Sequence, residues 1–141
     1  MADTDPKVAL LGAVPMFAEC RAKDLKQIAQ LVEEVDLPDG KVLMREGETG
    51  GEMFLISSGS ARVERGGQVV GEFGPGSVLG EMALVSEGQR NATVTAVGPM
   101  KAFVVGHREF HALMDDHPKF RGKVYEGLAR KVRGLEGDAV H

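Results

Sequence analysis

The stretch Gly80-Glu81-Met82-Ala83-Leu84, followed by Arg90-Asn91-Ala92-Thr93, decides how this chain is read. Eight residues separate the glutamate from the arginine, the flexible pair Glu87-Gly88 among them. As chemistry, this is a short turn of free backbone N–H groups, one carboxylate and one guanidinium around a loop. A guanidinium fork binds phosphate through two parallel charge-assisted hydrogen bonds. N–H groups at the start of a short helix or in a nest bind the same anion. A carboxylate accepts from hydroxyls and can also brace the arginine. The set suits a ligand with one anionic phosphate and one sugar hydroxyl. Gly80 lets the backbone come close, and Ala83 keeps the turn small.

Outward from this stretch, the composition is that of one globular domain covering residues 1–141. Hydrophobic residues make up 43% of the chain, enough for an ordinary core. The nineteen glycines fall between short apolar runs, so short strands and many turns are expected. No apolar run approaches the roughly 20 residues that span a bilayer. The acidic start, Met1 to Pro6, carries no secretory signal and reads as a disordered lead. Residues 136–141 read as a tail. The single Cys20 excludes an internal disulfide and fits a reducing, cytoplasmic compartment. A net charge of −4 argues against nucleic acid as the main partner.

Upstream, Lys7 to Leu11 suits a short helix broken at Gly12, and Val14 to Phe17 an apolar anchor. Leu25, Ile28, Leu31, Val32 and Val35 stand at helical spacing, which predicts a helix from Asp24 to Val35. From Pro38 to Gly106 the period is that of strands. Val42–Met44, Met53–Ile56, Ala61–Glu64, Gln68–Phe73, Thr93–Val97 and Met100–Val105 are strand segments. They are separated at Ser58-Gly59, Gly66-Gly67, Pro75-Gly76 and Gly98-Pro99. Such a run predicts a sandwich or jelly roll. After Gly106 the pattern is helical again: first Phe110, Leu113 and Met114, then a stripe of Phe120, Val124, Leu128, Val132 and Leu135. The last helix carries Gly122, Gly127 and Gly134, each costing roughly 1 kcal/mol of helix propensity. It must rely on what it packs against.

The chain from about Val14 to Leu135 resembles the cyclic nucleotide-binding domain family. The resemblance rests on Gly40, Glu46-Gly47, Gly59 and the spaced cassette of residues 80–84 and 90–93. It implies a mainly β fold with flanking helices: an eight-stranded jelly roll or β-roll, N-terminal helices, a short phosphate-binding helix inside the roll and a C-terminal lid helix. It implies a non-enzymatic sensor with no cofactor, binding cAMP or, as the alternative, cGMP. Glu81 would take the ribose 2′-OH and Arg90 the exocyclic phosphate oxygens. The residues of that site are Gly80, Glu81, Met82, Ala83, Arg90, Asn91, Ala92 and Thr93. Gln89 stands where many members have proline, which should loosen the loop before Arg90. Leu79 stands where phenylalanine is frequent. Asn91 stands where cGMP-preferring members often carry threonine, so the expectation leans to cAMP.

Other residues are less decisive. Met82, Leu79, Val63 and Val70 either line a purine pocket or pack a core. His107 and His111 have metal-ligand spacing without a third ligand, and solvent-facing histidines are expected. Lys119, Arg121, Lys123, Arg130, Lys131 and Arg133 read as a solvated basic face, with a protein effector touching the last helix as the functional reading. Tyr125 is a candidate cap for the base. Only Glu136 to His141 follow the lid, which disfavours an attached helix-turn-helix, and the start at Met1 slightly favours a stand-alone protein. Two other functions compete: the same fold kept as an interaction domain without nucleotide, and a cupin-like metal enzyme. Against the latter, the first histidine, His107, follows the last expected strand.

Overall fold

The computed structural model describes residues 5–139, with side chains described to Gly134. Residues 1–4 of the expected lead and 140–141 of the expected tail lie outside the described residues. Asp5 and Pro6 instead open the first helix, α1 (Pro6–Gly12), where the Asp5 carboxylate accepts from Lys7 N. Residues 136–139 continue the last helix, α4 (Pro118–Ala139).

Two long strands form the spine. These are β4 (Glu52–Arg65) and β8 (Thr93–Gly106), paired antiparallel from Glu52↔Gly106 to Glu64↔Thr93. Each was expected as two segments parted by a turn. The glycines at those places make bulges within continuous strands. The register shifts between Ile56 and Ser60, where Gly59 adopts φ +83° against Pro99 O and Met100. A bulge bends a strand and increases its twist without ending it.

Four shorter strands occupy the outer edges of this pair. β1 (Glu33–Leu37) and β2 (Val42–Met44) lie on β8, while β5 (Gln68–Phe73) and β6 (Val78–Leu79) lie on β4. The hairpin from β4 to β5 turns at Gly66 and Gly67, both at positive φ as the turn requires. β3 (Thr49–Gly50) and β7 (Gly88–Gln89) form a separate two-stranded sheet.

The expected eight-stranded jelly roll or β-roll is therefore corrected. Eight strands are present among the described residues, but no ladder there joins β1 to β5, and the sheets stay open. The four short strands share the edges of two long ones, so none is left to bridge the outer edges. Helices occupy a comparable length of chain, and the architecture is mixed α/β with flanking helices. The helix expected over Asp24–Val35 is also shorter: α2 covers Ala22–Ala29, and Glu33–Leu37 is a strand. There the ladder to β8, with Val35 opposite Ala102, overrides the helical spacing.

The apolar run Met53–Ile56 alternates between two cores. Met53 and Leu55 face the helices, packing with Leu11, Phe17, Ile28, Phe110, Phe120 and Val124. Phe54 and Ile56 face the bent sheet, with Val63, Leu79, Val94 and Met100. Burying each such side chain contributes about 1.5–3 kcal/mol. In the helical core the ring of Phe110 lies 5.7 Å from Phe17 and 5.8 Å from Phe120, edge-on to the latter. Phe110 belongs to α3 (His107–Asp116) and Phe120 to α4, so both C-terminal helices are held to the N-terminal segment. Among the described residues, no helix is long and apolar enough to cross a membrane.

Candidate functional site

A 3₁₀ turn, Glu81–Leu84, follows β6 and enters the helical core through Leu84, which is fully buried. Gly80 starts it at φ +76°, a conformation that L side chains avoid. A second reason for glycine is local. A Cβ here would lie 2.6 Å from an Arg90 terminal nitrogen and 3.0 Å from Glu52 O. Gly50 is equally constrained, since a Cβ there would run into Arg90 Nε. The guanidinium thus lies in a slot floored by two glycines, and its Nη2 donates to Glu52 O at 2.8 Å. Residues 88–90 are stitched to 47–50 rather than loosened: Arg90 N donates to Glu48 O and Gly47 N to Arg90 O, both at 2.8 Å.

Glu81 is 9% exposed, one of two buried charged residues among those described. Its Oε2 accepts from Met16 N at 2.9 Å, and its Oε1 accepts from Lys131 Nζ of α4 at 2.7 Å. Glu81 and Arg90 line one cavity of about 450 Å³, yet no ion pair joins them. The carboxylate therefore does not brace the arginine. Burial draws the Arg90 guanidinium below the ordinary arginine value, opposed by the nearby Glu52 carboxylate. A guanidinium remains protonated in a protein. Arg90 is a half-buried cation whose hydrogen-bond partner is a neutral carbonyl, and such a group favours an anion.

The same cavity brings together Gly80, Glu81, Met82, Ala83, Arg90, Asn91 and Ala92. Thr93 is not on its wall; its hydroxyl accepts from Glu46 N at 3.0 Å and secures the loop after β2. The Ala83 N–H is engaged by Gly80 O at 3.0 Å, whereas the N–H groups of Glu81 and Met82 meet no acceptor among the described residues. The other half of the wall is apolar. Val63 and Leu79 are both core and lining, which joins the two readings of them, while Val70 and Met82 are exposed at the rim.

Two charged wall residues escaped the sequence reading of the site. Arg65, at the end of β4, donates from Nε to Asn91 O at 3.0 Å. Lys131 was taken for part of a solvated face. That face is corrected in part: Lys131 pairs with Glu81, Lys123 with Asp24 at 2.7 Å, Arg130 with Glu19 at 2.9 Å and Arg121 with Asp115 at 3.7 Å, while Lys119 and Arg133 are exposed as expected. Lys123, Arg130 and Lys131 tie α4 to the N-terminal segment and the cassette turn. Acidic residues at distant sequence positions were the only signal for this, and spacing alone does not select among them. The cavity wall carries three cations, Arg65, Arg90 and Lys131, against the one carboxylate of Glu81, although the chain is net negative.

The histidines are corrected too. His107 Nδ1 lies 2.9 Å from Ala83 O, and His111 Nε2 lies 3.3 Å from Val85 O, so both reach the backbone of the cassette turn and neither is free in solvent. No cluster of three metal-ligating side chains occurs among the described residues. Tyr125 is exposed and off the cavity wall. Cys20 is partly buried, and its thiol is pushed up to about 11, chiefly by burial and then by Asp24.

Comparison with known proteins matches residues 34–117 to the model for the cyclic nucleotide-binding domain. A cyclic nucleotide-gated potassium channel of Mesorhizobium japonicum is 32% identical over 130 residues, covering 92% of this chain and 36% of the channel. The N-terminal domain of a transcriptional regulator from Streptomyces coelicolor superposes with a TM-score of 0.84 at 25% identity, covering 94% of this chain and 95% of that one. The regulatory domain of Toxoplasma gondii PKA, solved with cAMP, superposes with a TM-score of 0.71 at 25% identity, covering 92% and 49%. The chain spans about a third of the length of the first curated relatives it matches.

Proposed function

This chain belongs to the cyclic nucleotide-binding domain family and is a non-catalytic regulatory module of it, and on that premise we propose that the cavity at residues 80–92 is the ligand site and that its ligand is cAMP. The observation that carries the reading is Arg90: a half-buried guanidinium in a glycine slot, with no carboxylate in hydrogen-bond contact and beside backbone N–H groups that meet no acceptor among the described residues. Arg90 takes the exocyclic phosphate oxygens, Glu81 the ribose 2′-OH, and the backbone at Glu81, Met82 and Asn91 completes the cradle. Gly80, Ala83 and Ala92 keep the wall low. The purine lies on the apolar half formed by Val63, Val70 and Leu79. The cAMP-bound T. gondii relative and the absence of threonine after Arg90 support adenine over guanine.

The regulatory output is a shift of α4 on binding, limited by the ligand's differential affinity for the two positions. A protein effector that meets α4 reads this shift. The proposed unit is one domain over residues 1–141, and the free Cys20 supports a cytoplasmic setting. Titration calorimetry with cAMP and cGMP tests the reading, together with mass spectrometry of any nucleotide released on denaturation. Saturable binding, stronger for cAMP, is expected. No heat with either nucleotide at millimolar concentration would sink it in favour of an interaction domain.

A further inference from the structure

We infer that Lys131 of α4 is a ligand-binding residue, which together with Glu81 reads one sugar hydroxyl as both donor and acceptor; the inference rests on the cyclic-nucleotide reading above. Lys131 Nζ and Glu81 Oε1 are 2.7 Å apart, and both side chains face the same cavity. Lys131 is the one described residue of α4 on that wall. The pair is shielded, with side-chain exposures of 29% for the lysine and 9% for the glutamate.

A hydroxyl carries one donor and two acceptor lone pairs. Glu81 alone satisfies the donor. An ionised carboxylate offers about four acceptor positions, and Met16 N and Lys131 Nζ use two of them. An ammonium offers three N–H donors, and one of those of Lys131 is engaged by Glu81. A ribose hydroxyl placed against the pair can donate to Glu81 and accept from Lys131. A ligand without that hydroxyl leaves both charged groups facing an apolar carbon, and sites built this way reject such analogues strongly. Because Lys131 belongs to α4 and Glu81 to the cassette turn, sugar recognition and helix position become one event. A purely structural lysine would stabilise α4 equally for any ligand.

The test is calorimetric titration of wild type, K131M and K131Q with cAMP and 2′-deoxy-cAMP, with thermal melts to establish folding. In wild type the deoxy analogue is expected to bind about 10- to 100-fold more weakly. K131M is expected to lose about 10- to 30-fold for cAMP, and less than about threefold for the deoxy analogue. K131Q, which keeps an N–H donor, is expected to fall between the two. Equal losses for both nucleotides in the variants, or no loss, overturn the assignment while cAMP binding by wild type stands. Absence of cAMP binding by wild type overturns the ligand reading itself, and this inference with it.

Discussion

At Arg90 the chain places a cation where water is partly excluded, bonds it to a backbone carbonyl and leaves it without a carboxylate in hydrogen-bond contact, the Glu52 carboxylate acting only through its field. Arg90→Leu removes the charge-assisted bonds to the ligand phosphate, and calorimetry should show a loss of about 2–3 kcal/mol in binding. Unchanged affinity would mean that the phosphate sits elsewhere. Gly80→Ala acts on the same slot from below. The left-handed backbone costs an L residue about 1–2 kcal/mol, and the new Cβ meets the guanidinium. A lower melting temperature and about tenfold weaker binding are expected together, checked by melting and titration of one preparation. Cys20 illustrates the opposite case, a residue made quiet by its surroundings. With its thiol pushed up to about 11, its thiolate at pH 8 is about a hundredfold scarcer than for an ordinary cysteine, and labelling by a thiol reagent should be correspondingly slow in the folded protein and fast in denaturant.

Among the elements, α4 is the least secure by propensity and the most extensively clamped. Its stripe packs through Phe120 and Val124 and partly through Leu128, but Val132 is exposed, and Leu135 lies outside the described side chains. Two of its glycines differ in role. At Gly127 a Cβ would run into Met16 O, so this glycine lets α4 lie directly on the Pro15–Phe17 turn. At Gly122 a Cβ meets open space. Gly127→Ala should therefore destabilise the protein by about 1–3 kcal/mol through overpacking, while Gly122→Ala should stabilise it by up to about 1 kcal/mol. Urea midpoints distinguish these, and equal shifts would contradict the packing described. The clamp between α4 and α2 depends on pH. Burial raises the Asp24 carboxyl, but bonds from Lys123 Nζ and Arg21 N outweigh it and hold the group below its usual 3.8. A carboxyl lowered by folding stabilises the protein above its unfolded value, and that contribution is lost as pH falls through the folded one. Asp24→Asn should cost about 1–3 kcal/mol at neutral pH. The difference from wild type should shrink as pH falls below 3.8 and vanish only below the lower folded value.

On the scale of the whole molecule, the cavity lies where the two cores meet, since Leu79 belongs to the sheet core and Leu84 to the helical core on either side of the cassette turn. A ligand there bears on both, so cAMP at about 100 times its dissociation constant should add about 2.7 kcal/mol to stability. Differential scanning calorimetry should then record a rise of roughly 5–10 °C. The sequence by itself determined the cassette, the helices flanking a strand-rich middle, the Gly66-Gly67 hairpin and the apolar strand segment Met53–Ile56, because each is written in adjacent residues or in a short period. Seven of the eight candidate site residues share one cavity wall. Only the tertiary structure decided the rest. Whether Gly59 ends a strand or bulges it depends on the facing Pro99-Met100 backbone. Whether the sheet closes depends on how four short strands share two long edges. Glu81 finds Met16 and Lys131, 65 and 50 residues away, instead of Arg90. Pairings over such separations follow from the packing of α4 against the N-terminal segment, which no local pattern of charge specifies.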